Sequence, residues 1–263
     1  MALRWLPAQL RRDLLALYGF ARLADDLGDE VEGDRLACLD ALEQDLERAF
    51  AGTARHPLLR QLTPTLRAHS LPREPFQKLI EANRRDQRVQ RYESFDALLG
   101  YCALSANPVG QLVLHVAGAA TTENFELSDA ICSALQIVEH LQDVAEDRAR
   151  GRVYLPAVDL ARFGCSEEDL RRAPARPELR RLLAFEAERA RLLLRRGEPL
   201  VARLRWPARL AVAAFAGGGL AALDALARGG FDVTSSLLTP RRRDTLRHTL
   251  AILCRASRRR GRP

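Results

Sequence analysis

The sequence predicts an all-α fold, and three observations support this prediction. Its 263 residues are rich in alanine, leucine and arginine, which favour helices. Runs of valine, isoleucine and threonine, which are typical of strands, are scarce. Apolar residues recur at steps of three and four over long segments separated by short connections. A hydrophobic content of 47% is sufficient for a sizeable core.

This periodicity predicts nine helices, of which the first is apolar almost throughout 14–24 and is therefore expected to be buried. The glycine- and acid-rich stretch 28–34 predicts a mobile loop, and prolines bracket the longest irregular stretch, 156–177. No repeat, linker or boundary is evident, so we predict one domain over 1–263 with a basic C-terminal tail from about 255. The helices are predicted at 7–28, 36–50, 57–69, 73–90, 94–119, 127–150, 177–204, 206–228 and 239–257.

Two acidic clusters are the most informative feature, at residues 25–30 (DDLGDE) and 143–147 (DVAED). Each places two aspartates four positions apart, Asp25 with Asp29 and Asp143 with Asp147. Residues at i and i+4 share one helix face, so each pair presents its carboxylates together. Mg2+ prefers such oxygen ligands and commonly binds through one or two carboxylates plus substrate phosphates. Two facing clusters would therefore hold a diphosphate through metal ions.

The alternative is that both pairs lie on solvated helix faces, where acidic pairs at this spacing are common. Two features favour a functional site. The first helix is otherwise apolar, and buried carboxylates are rarely tolerated without partners. In the second helix, a polar stripe runs between apolar faces, which is typical of a cavity wall. The stripe consists of Gln136, Glu139, Asp143 and Asp147.

The charge of the chain is distributed unevenly. The net charge is +7, and Lys78 is the only lysine among 41 basic residues, so composition bias can explain the excess of arginine. No nucleic-acid-binding motif accompanies it, and we expect no nucleic-acid partner. Arginines concentrate at 241–243 and 255–262, which predicts either a solvated tail or a peripheral contact with anionic lipid.

Targeting and redox signals are weak. The five cysteines are scattered singly, as expected for reduced thiols in a cytoplasmic protein. The N-terminus has no signal-peptide pattern. The longest apolar run, 210–223, is too short to span a bilayer and predicts a core helix. Its glycines, 217–219, lie in a helical pattern and do not form a dinucleotide-binding fingerprint.

Three segments resemble the squalene/phytoene synthases, the head-to-head prenyl diphosphate synthases. Residues 18–30 (YGFARLADDLGDE) resemble the first aspartate-rich motif of this family. Residues 136–147 and the following RGRVYLP at 150–156 resemble the second motif and its trailing signature. Tyr101-Cys102 and SANPVG at 105–110 resemble the intervening helix, in the form found in the hopanoid-pathway branch. The resemblance covers nearly the whole chain and implies an all-α isoprenoid-synthase bundle with a central active-site cavity.

The resemblance also assigns roles to residues. It implies that Asp25, Asp29, Asp143 and Asp147 bind Mg2+, for which Mn2+ can substitute, with Glu139 as a further ligand. Arg22, Gln136 and Arg152 match positions that bind the substrate diphosphate. Tyr18 and Tyr101 match aromatic residues near the reacting carbons. With Asp25 and Asp143, they are the expected catalytic residues. The alternatives are an exposed ion pair of Arg22 with Asp26 or Glu30, and a packing role for the two tyrosines.

The chain departs from the family pattern at several positions. Glu139 stands where the family has asparagine, and it would either complete the second metal site or hold an arginine. Gln142 replaces an arginine, as in the hopanoid-type branch. Near the position of Leu104, the eukaryotic squalene synthases have a tyrosine that this chain lacks. The sequence also begins inside the first family helix, so the segment with a diphosphate-binding serine is expected to be missing.

The resemblance implies an enzyme of C30 isoprenoid synthesis that releases diphosphate, as a lyase or a prenyltransferase. The first expectation is conversion of presqualene diphosphate to hydroxysqualene, and the second is condensation of two farnesyl diphosphates to presqualene diphosphate or squalene. A phytoene synthase comes third, and a non-enzymatic basic helical protein that docks on membranes or a partner enzyme is the remaining alternative. NADPH is not expected as a cofactor. Other enzymes of the squalene pathway are candidate partners, and the protein is expected in the cytoplasm or on the membrane surface.

Overall fold

A computed structural model describes residues 7–235 and 238–260, and within these ranges the chain is helical with no strand. An isolated parallel bridge joins Arg91 and Val153. The all-α prediction is therefore confirmed. The helices are α1 (Ala8–Asp29), α2 (Arg35–Ala51), α3 (Pro57–Ala68), α4 (Glu74–Asp86), α5 (Phe95–Ser105), α6 (Asn107–Val116), α7 (Thr122–Gln142), α8 (Val144–Ala149), α9 (Ala157–Phe163), α10 (Pro177–Gly197), α11 (Leu200–Arg203), α12 (Ala208–Arg228) and α13 (Arg242–Arg260).

Two predicted helices are interrupted at the residues that matter for the site. The segment 94–119 divides at Ala106 into α5 and α6, and Pro108 lies in the first turn of α6, where its missing N–H costs nothing. The segment 127–150 divides at Asp143, whose φ of −103° and ψ of 15° leave the helical region. The amide of Asp143 still donates to Glu139 O (3.0 Å), and the amide of Asp147 donates to Asp143 O (2.8 Å). Asp143 and Asp147 therefore remain one turn apart.

Other boundaries also differ from the prediction. The segment 177–204 divides into α10 and α11, and the stretch predicted as irregular contains α9 and a 3₁₀ turn, Glu167–Arg171. The loop predicted at 28–34 begins only after Asp29, because Gly28 belongs to α1 and is buried. The tail predicted from about 255 continues α13 to Arg260. Apart from the division of 177–204, these corrections lengthen the helical part of the chain.

The described residues form two compact units, and the single-domain organisation stays a prediction. The first unit comprises 7–89 and 103–125. In it α1 packs against α2, α3, α4 and α6, with Phe20 edge-on to Phe76 at 5.0 Å. The expectation that α1 is buried holds for one side of the helix and fails for the other, since Leu15 is 48% exposed. Only one face of α1 is therefore in the core.

The second unit comprises 90–102 and 126–260. Its helices α10 and α13 pack against α12. A Cβ atom at Gly217 of α12 would lie 2.5 Å from the hydroxyl of Thr249, so glycine permits the close approach of α13. The glycine run 217–219 is helical, as the pattern predicts.

Two segments are long and apolar enough to cross a membrane by length and composition alone, Phe95–Val116 and Ala208–Arg228. The second is α12, so the length argument drawn from 210–223 does not hold for the whole helix. The protein itself buries 56% of its apolar window, and core helices pass the same test.

All five cysteines lie in the described ranges and none forms a disulfide. Burial raises the pKa of the Cys102 thiol to about 12, so this residue is no nucleophile at neutral pH.

Candidate active site

The first acidic cluster lies at the C-terminal end of α1. Asp25 is an exposed residue by its accessible surface, but protein atoms around its carboxylate still displace part of its water. This desolvation raises the pKa of Asp25 above its ordinary value, and the negative charge of Asp29 raises it further. A hydrogen bond from Asn83 Nδ2 to Asp25 Oδ1 (3.2 Å) opposes the shift. A bound cation would relieve both unfavourable effects.

Helix α4 and the residue that follows it position this cluster through two amide side chains that sequence reasoning missed. Asn83, which is 7% exposed, also donates to Leu79 O (3.1 Å), and Gln87 Nε2 donates to Gly28 O (3.0 Å). A Cβ atom at Gly28 would lie 2.2 Å from Asn83 Oδ1, so glycine is needed for this contact. Nothing in the sequence of α4 distinguishes these amides from surface residues.

Two further residues of the first motif lie at the surface of the first unit. Arg22 pairs with Asp26 at 2.8 Å, and its side chain is 57% exposed. This is the ion pair that we named as the alternative to diphosphate binding. Tyr18 is 66% exposed, so it is not a packing residue of the core. An exposed ion pair is worth little, and Arg22 is available to an anion at small cost.

The second acidic cluster lies at the break between α7 and α8 in the second unit. Desolvation raises the pKa of Asp143, and the charges of Asp147 and Glu146 add to this effect. Glu139 is exposed one turn earlier on α7. The two clusters thus share one electrostatic property, an aspartate whose charged form is disfavoured by burial and by like charge.

His140 connects the second cluster to an aromatic wall, and sequence reasoning missed it. One ring nitrogen, Nδ1, lies 3.3 Å from Asp147 Oδ2, and the other, Nε2, lies 3.2 Å from Gln136 Nε2. The imidazole stacks on Tyr154 with ring centroids 3.6 Å apart and planes 14° apart. His140 therefore belongs to the polar stripe predicted from Gln136 to Asp147. Its position four residues after Gln136 could have identified it.

The aromatic wall consists of three tyrosines that pack face to face or tilted. Tyr154 stacks on Tyr92 at 5.7 Å, and Tyr101 lies 5.4 Å from both. Each is at most 7% exposed, so Tyr101 is a buried member of a cluster and not an isolated residue. No pattern in the sequence indicates that Tyr92 belongs to this cluster. Its neighbour Arg91 forms the bridge with Val153, and this tertiary contact places Tyr92 beside Tyr154.

The signature segment 150–156 closes the second site. The amide of Arg152 donates to Asp147 O (2.8 Å), and that of Val153 donates to Gln90 O (2.9 Å). Arg91 donates to Gly151 O (2.5 Å) and forms an ion pair with Glu167. A partly open cavity of about 10 Å3, close to the minimum volume that holds one water molecule, lies there. It is lined by His140, Val144, Asp147, Arg152, Val153, Tyr154, Leu155 and Leu170.

The carboxylates of each cluster fit a magnesium ion whose coordination is completed by phosphate oxygens of a bound substrate. Within the described ranges, no three histidine, cysteine or acidic side chains converge to hold a metal on their own. Each unit does offer a pair of carboxylates, and Mg2+ needs only one or two together with phosphate oxygens. The structure thus assembles each predicted metal pair within its own unit, and the meeting of the two pairs stays a prediction.

Comparison with known sequences identifies one family. The sequence profile described as squalene/phytoene synthase matches residues 1–248. Over 194 residues, the chain is 38% identical to the hydroxysqualene synthase of Zymomonas mobilis, covering 72% of the chain and 64% of that protein. It is 33% identical over 220 residues to the 15-cis-phytoene synthase of Synechococcus elongatus, covering 77% and 71% of the two chains.

Comparison with solved structures agrees with the sequence result. The crystal structure of squalene synthase HpnC from Alicyclobacillus acidocaldarius superposes with a TM-score of 0.81 and 45% sequence identity. The superposition covers 86% of each chain.

Proposed function

Because the chain belongs to the squalene/phytoene synthase family, we propose that it converts presqualene diphosphate to hydroxysqualene. In this reaction the C–O bond to diphosphate breaks, the cyclopropylcarbinyl cation rearranges, and water adds to the rearranged carbon. The water loses one proton, and inorganic diphosphate is released. The 38% identity to a hydroxysqualene synthase is the observation that favours this C30 substrate over the C40 counterpart formed from two C20 units.

The acidic pairs would hold the metal ions that this chemistry uses. Asp25 and Asp29 would supply ligands from the first unit, and Asp143, Asp147 and Glu139 from the second. Bound Mg2+, or Mn2+ in its place, supplies positive charge that neutralises the leaving diphosphate. The raised pKa values of Asp25 and Asp143 support this assignment, because both carboxylates gain from a nearby cation.

Three side chains would bind the diphosphate directly. Arg22 would exchange its exposed pairing with Asp26 for the phosphate oxygens, and Arg152 would add a second fixed cation. Gln136 would donate through its amide, which lies beside His140. His140 would hold the Asp147 carboxylate in one orientation while the substrate binds.

The tyrosine wall would act on the hydrocarbon part of the substrate. Aromatic faces attract cations, so Tyr101 and its neighbours Tyr92 and Tyr154 would stabilise the rearranging carbocation. Their burial keeps the wall dry, which limits attack by water at the wrong carbon. Tyr18 would contribute its exposed ring from α1.

Two related reactions are the alternatives. The name of the HpnC structure favours squalene synthesis, and the Synechococcus relative favours phytoene synthesis from C20 substrates. Phytoene synthesis differs from the other two reactions in chain length, and hydroxysqualene and squalene synthesis differ in how the cation is quenched. Water ends the first as a lyase-like step, whereas a reductive squalene synthase needs hydride.

Product analysis by mass spectrometry separates these functions. Purified protein would receive presqualene diphosphate, farnesyl diphosphate or geranylgeranyl diphosphate with Mg2+, each with and without reduced nicotinamide. We expect hydroxysqualene from presqualene diphosphate, with one oxygen derived from 18O-labelled water and no effect of nicotinamide. Squalene formed only with nicotinamide, or phytoene from the C20 substrate alone, would overturn the proposal.

A further inference from the structure

Helix α13 has one buried face and one exposed face. Its inner side packs on α11 and α12 through Thr249, Ile252 and Ala256, each at most 7% exposed. Its outer side carries Leu246 and Leu250, which are 59% and 52% exposed. These leucines are four residues apart and therefore adjacent on the helix surface. Two exposed leucines side by side are unlike the isolated apolar residues of an ordinary surface.

Arginines flank the two leucines on the same face. Arg243 precedes Leu246 by three residues and is 74% exposed, and Arg247 precedes Leu250 by three residues and is 64% exposed. Arg258 continues the face one turn beyond the exposed Cys254. Together these residues form the outer face of α13: Arg243, Leu246, Arg247, Leu250 and Arg258.

The region around this face is strongly basic. The sequence from 241 to 263 holds nine arginines and one acidic residue, Asp244. Asp244 is 7% exposed and pairs with Arg228 at 2.8 Å, and its carboxylate also lies 4.0 Å from Arg243, which is therefore only partly neutralised. Arg247 shares Asp224 with His248 and Arg191, so it is only partly neutralised. The outer face thus has no acidic side chain of its own.

A second copy of the chain does not suit this face. A stable dimer buries about 800 Å2 on each partner, and two leucines provide only part of that area. In a twofold arrangement the arginines would also meet arginines, which repel. An anionic bilayer suits both features, because lipid phosphates attract arginine and leucine side chains enter the boundary between headgroups and acyl chains.

We propose that the outer face of α13 docks the protein on the surface of an anionic lipid bilayer. The helix lies in the plane of the membrane with Leu246 and Leu250 towards the acyl chains. The arginines contact the headgroups on either side. Since α12 packs against the inner side of α13, this docking requires no spanning segment and no rearrangement of the fold.

Vesicle co-sedimentation of the full-length protein tests the proposal without any substrate. The vesicles would contain phosphatidylcholine alone or phosphatidylcholine with phosphatidylglycerol, at low and high salt. We expect the protein to sediment with the phosphatidylglycerol vesicles only, with binding reduced several-fold at high salt. Equal binding to both vesicle types, or no binding to either, would overturn the proposal.

Matched variants locate the contact. Leu246→Ser with Leu250→Ser, and separately Arg243→Gln with Arg258→Gln, should each reduce binding several-fold. The controls on α10 are Leu192→Ser, whose leucine is 55% exposed, and Arg195→Gln with Arg196→Gln; both should bind as the wild type does. Circular dichroism and thermal unfolding verify that each variant is folded. Equal losses in the α10 variants, or wild-type binding by the α13 variants, would refute the assignment to this face. Sedimentation velocity tests whether the face binds a second copy instead. We expect the wild type to be no more associated than the leucine variant. Self-association that the leucine changes abolish would assign the face to a second copy and overturn the proposal.

Discussion

Asp25 and Asp143 are the two carboxylates of the candidate site whose pKa is raised by the protein around them. Asparagine at either position removes one ligand charge and also relieves a like-charge repulsion. We therefore expect Asp25→Asn and Asp143→Asn to lower kcat/KM by roughly a hundredfold or more while the melting temperature stays the same or rises. Steady-state kinetics and thermal unfolding measure the two effects.

The controls for these variants are neighbouring acids that are exposed and paired with arginine. Asp26→Asn breaks the 2.8 Å pair with Arg22, and Glu146→Gln breaks the 3.0 Å pair with Arg150. Both should keep most of the activity, because exposed ion pairs contribute little. Wild-type rates in Asp25→Asn and Asp143→Asn would rule out the metal assignment.

His140 should position Asp147 for metal binding. His140→Phe keeps a ring that can stack on Tyr154 but removes the contacts with Asp147 Oδ2 and Gln136. We expect the Mg2+ concentration for half-maximal rate to rise about tenfold or more, in the range found when outer-shell partners of metal ligands are lost. Calorimetry of Mn2+ binding with inorganic diphosphate gives a second readout that does not depend on turnover.

His115→Phe is the matched control for this change. His115 lies beside Phe125 with ring centroids 5.7 Å apart, in the other unit from the second cluster. It should leave the Mg2+ dependence unchanged. An unaltered Mg2+ titration in His140→Phe would show that the histidine only packs.

Variants of Glu139 distinguish its two predicted roles, metal ligand and structural ion-pair partner. Glu139→Gln keeps the size and removes the charge, whereas Glu139→Asn restores the residue that the family pattern has. If Glu139 binds Mg2+, the glutamine variant should need a several-fold higher Mg2+ concentration, and the asparagine variant should be affected less. If both variants lose thermal stability with an unchanged Mg2+ titration curve, the ligand role is excluded.

At the scale of elements, the sequence predicts long helices well and their interruptions poorly. The periodic pattern identifies α1, α2, α3, α4 and α12 to within a few residues. It misses the break at Asp143 because aspartate, valine and alanine continue the apolar spacing of α7 without a glycine or proline. It also misses α9, since seven residues are too few to establish a helical period. The tyrosine wall depends on contacts between distant segments, which no local pattern encodes.

The packing of α9 on α10 includes a buried acid that should make stability depend on pH. Arg189 of α10 lies 2.6 Å from Asp159 of α9 and 3.0 Å from Glu186, which is 1% exposed. Burial raises the pKa of Glu186 from 4.5 to about 7. The unfolded chain releases this proton first as the pH rises, so stability falls between these two pKa values and is constant above them. The loss amounts to about 3 kcal/mol.

Chemical denaturation at pH 5 and pH 8 measures this effect. Glu186→Gln keeps an acceptor for Arg189 but cannot titrate, so its stability should fall less than that of the wild type between the two pH values. Glu188→Gln on the same helix is the control, since Glu188 is 57% exposed. Parallel losses in the wild type and Glu186→Gln would contradict the assigned pKa.

At the scale of the whole molecule, ligand binding should report whether the two acidic clusters serve one site. The sequence predicts both clusters and the family fold, but the way in which distant side chains meet depends on the packing of whole units. Mg2+ and inorganic diphosphate together should raise the melting temperature more than the sum of their separate effects, because each completes the other's coordination. Differential scanning calorimetry measures this, and Asp25→Asn and Asp143→Asn should each abolish the synergy. Additive shifts would indicate two independent sites.

The close approach of Gly28 to Asn83 couples the two positions, because a change at one alters what the other can do. A methyl group at 28 would lie 2.2 Å from Oδ1 of the amide that also holds Asp25, so residue 83 must then shift or become smaller. The smaller residue in turn gives up the hydrogen bond to Asp25. Either single change therefore disturbs the hydrogen bond to the acid that we assign to the metal, although neither position belongs to the assigned ligand set.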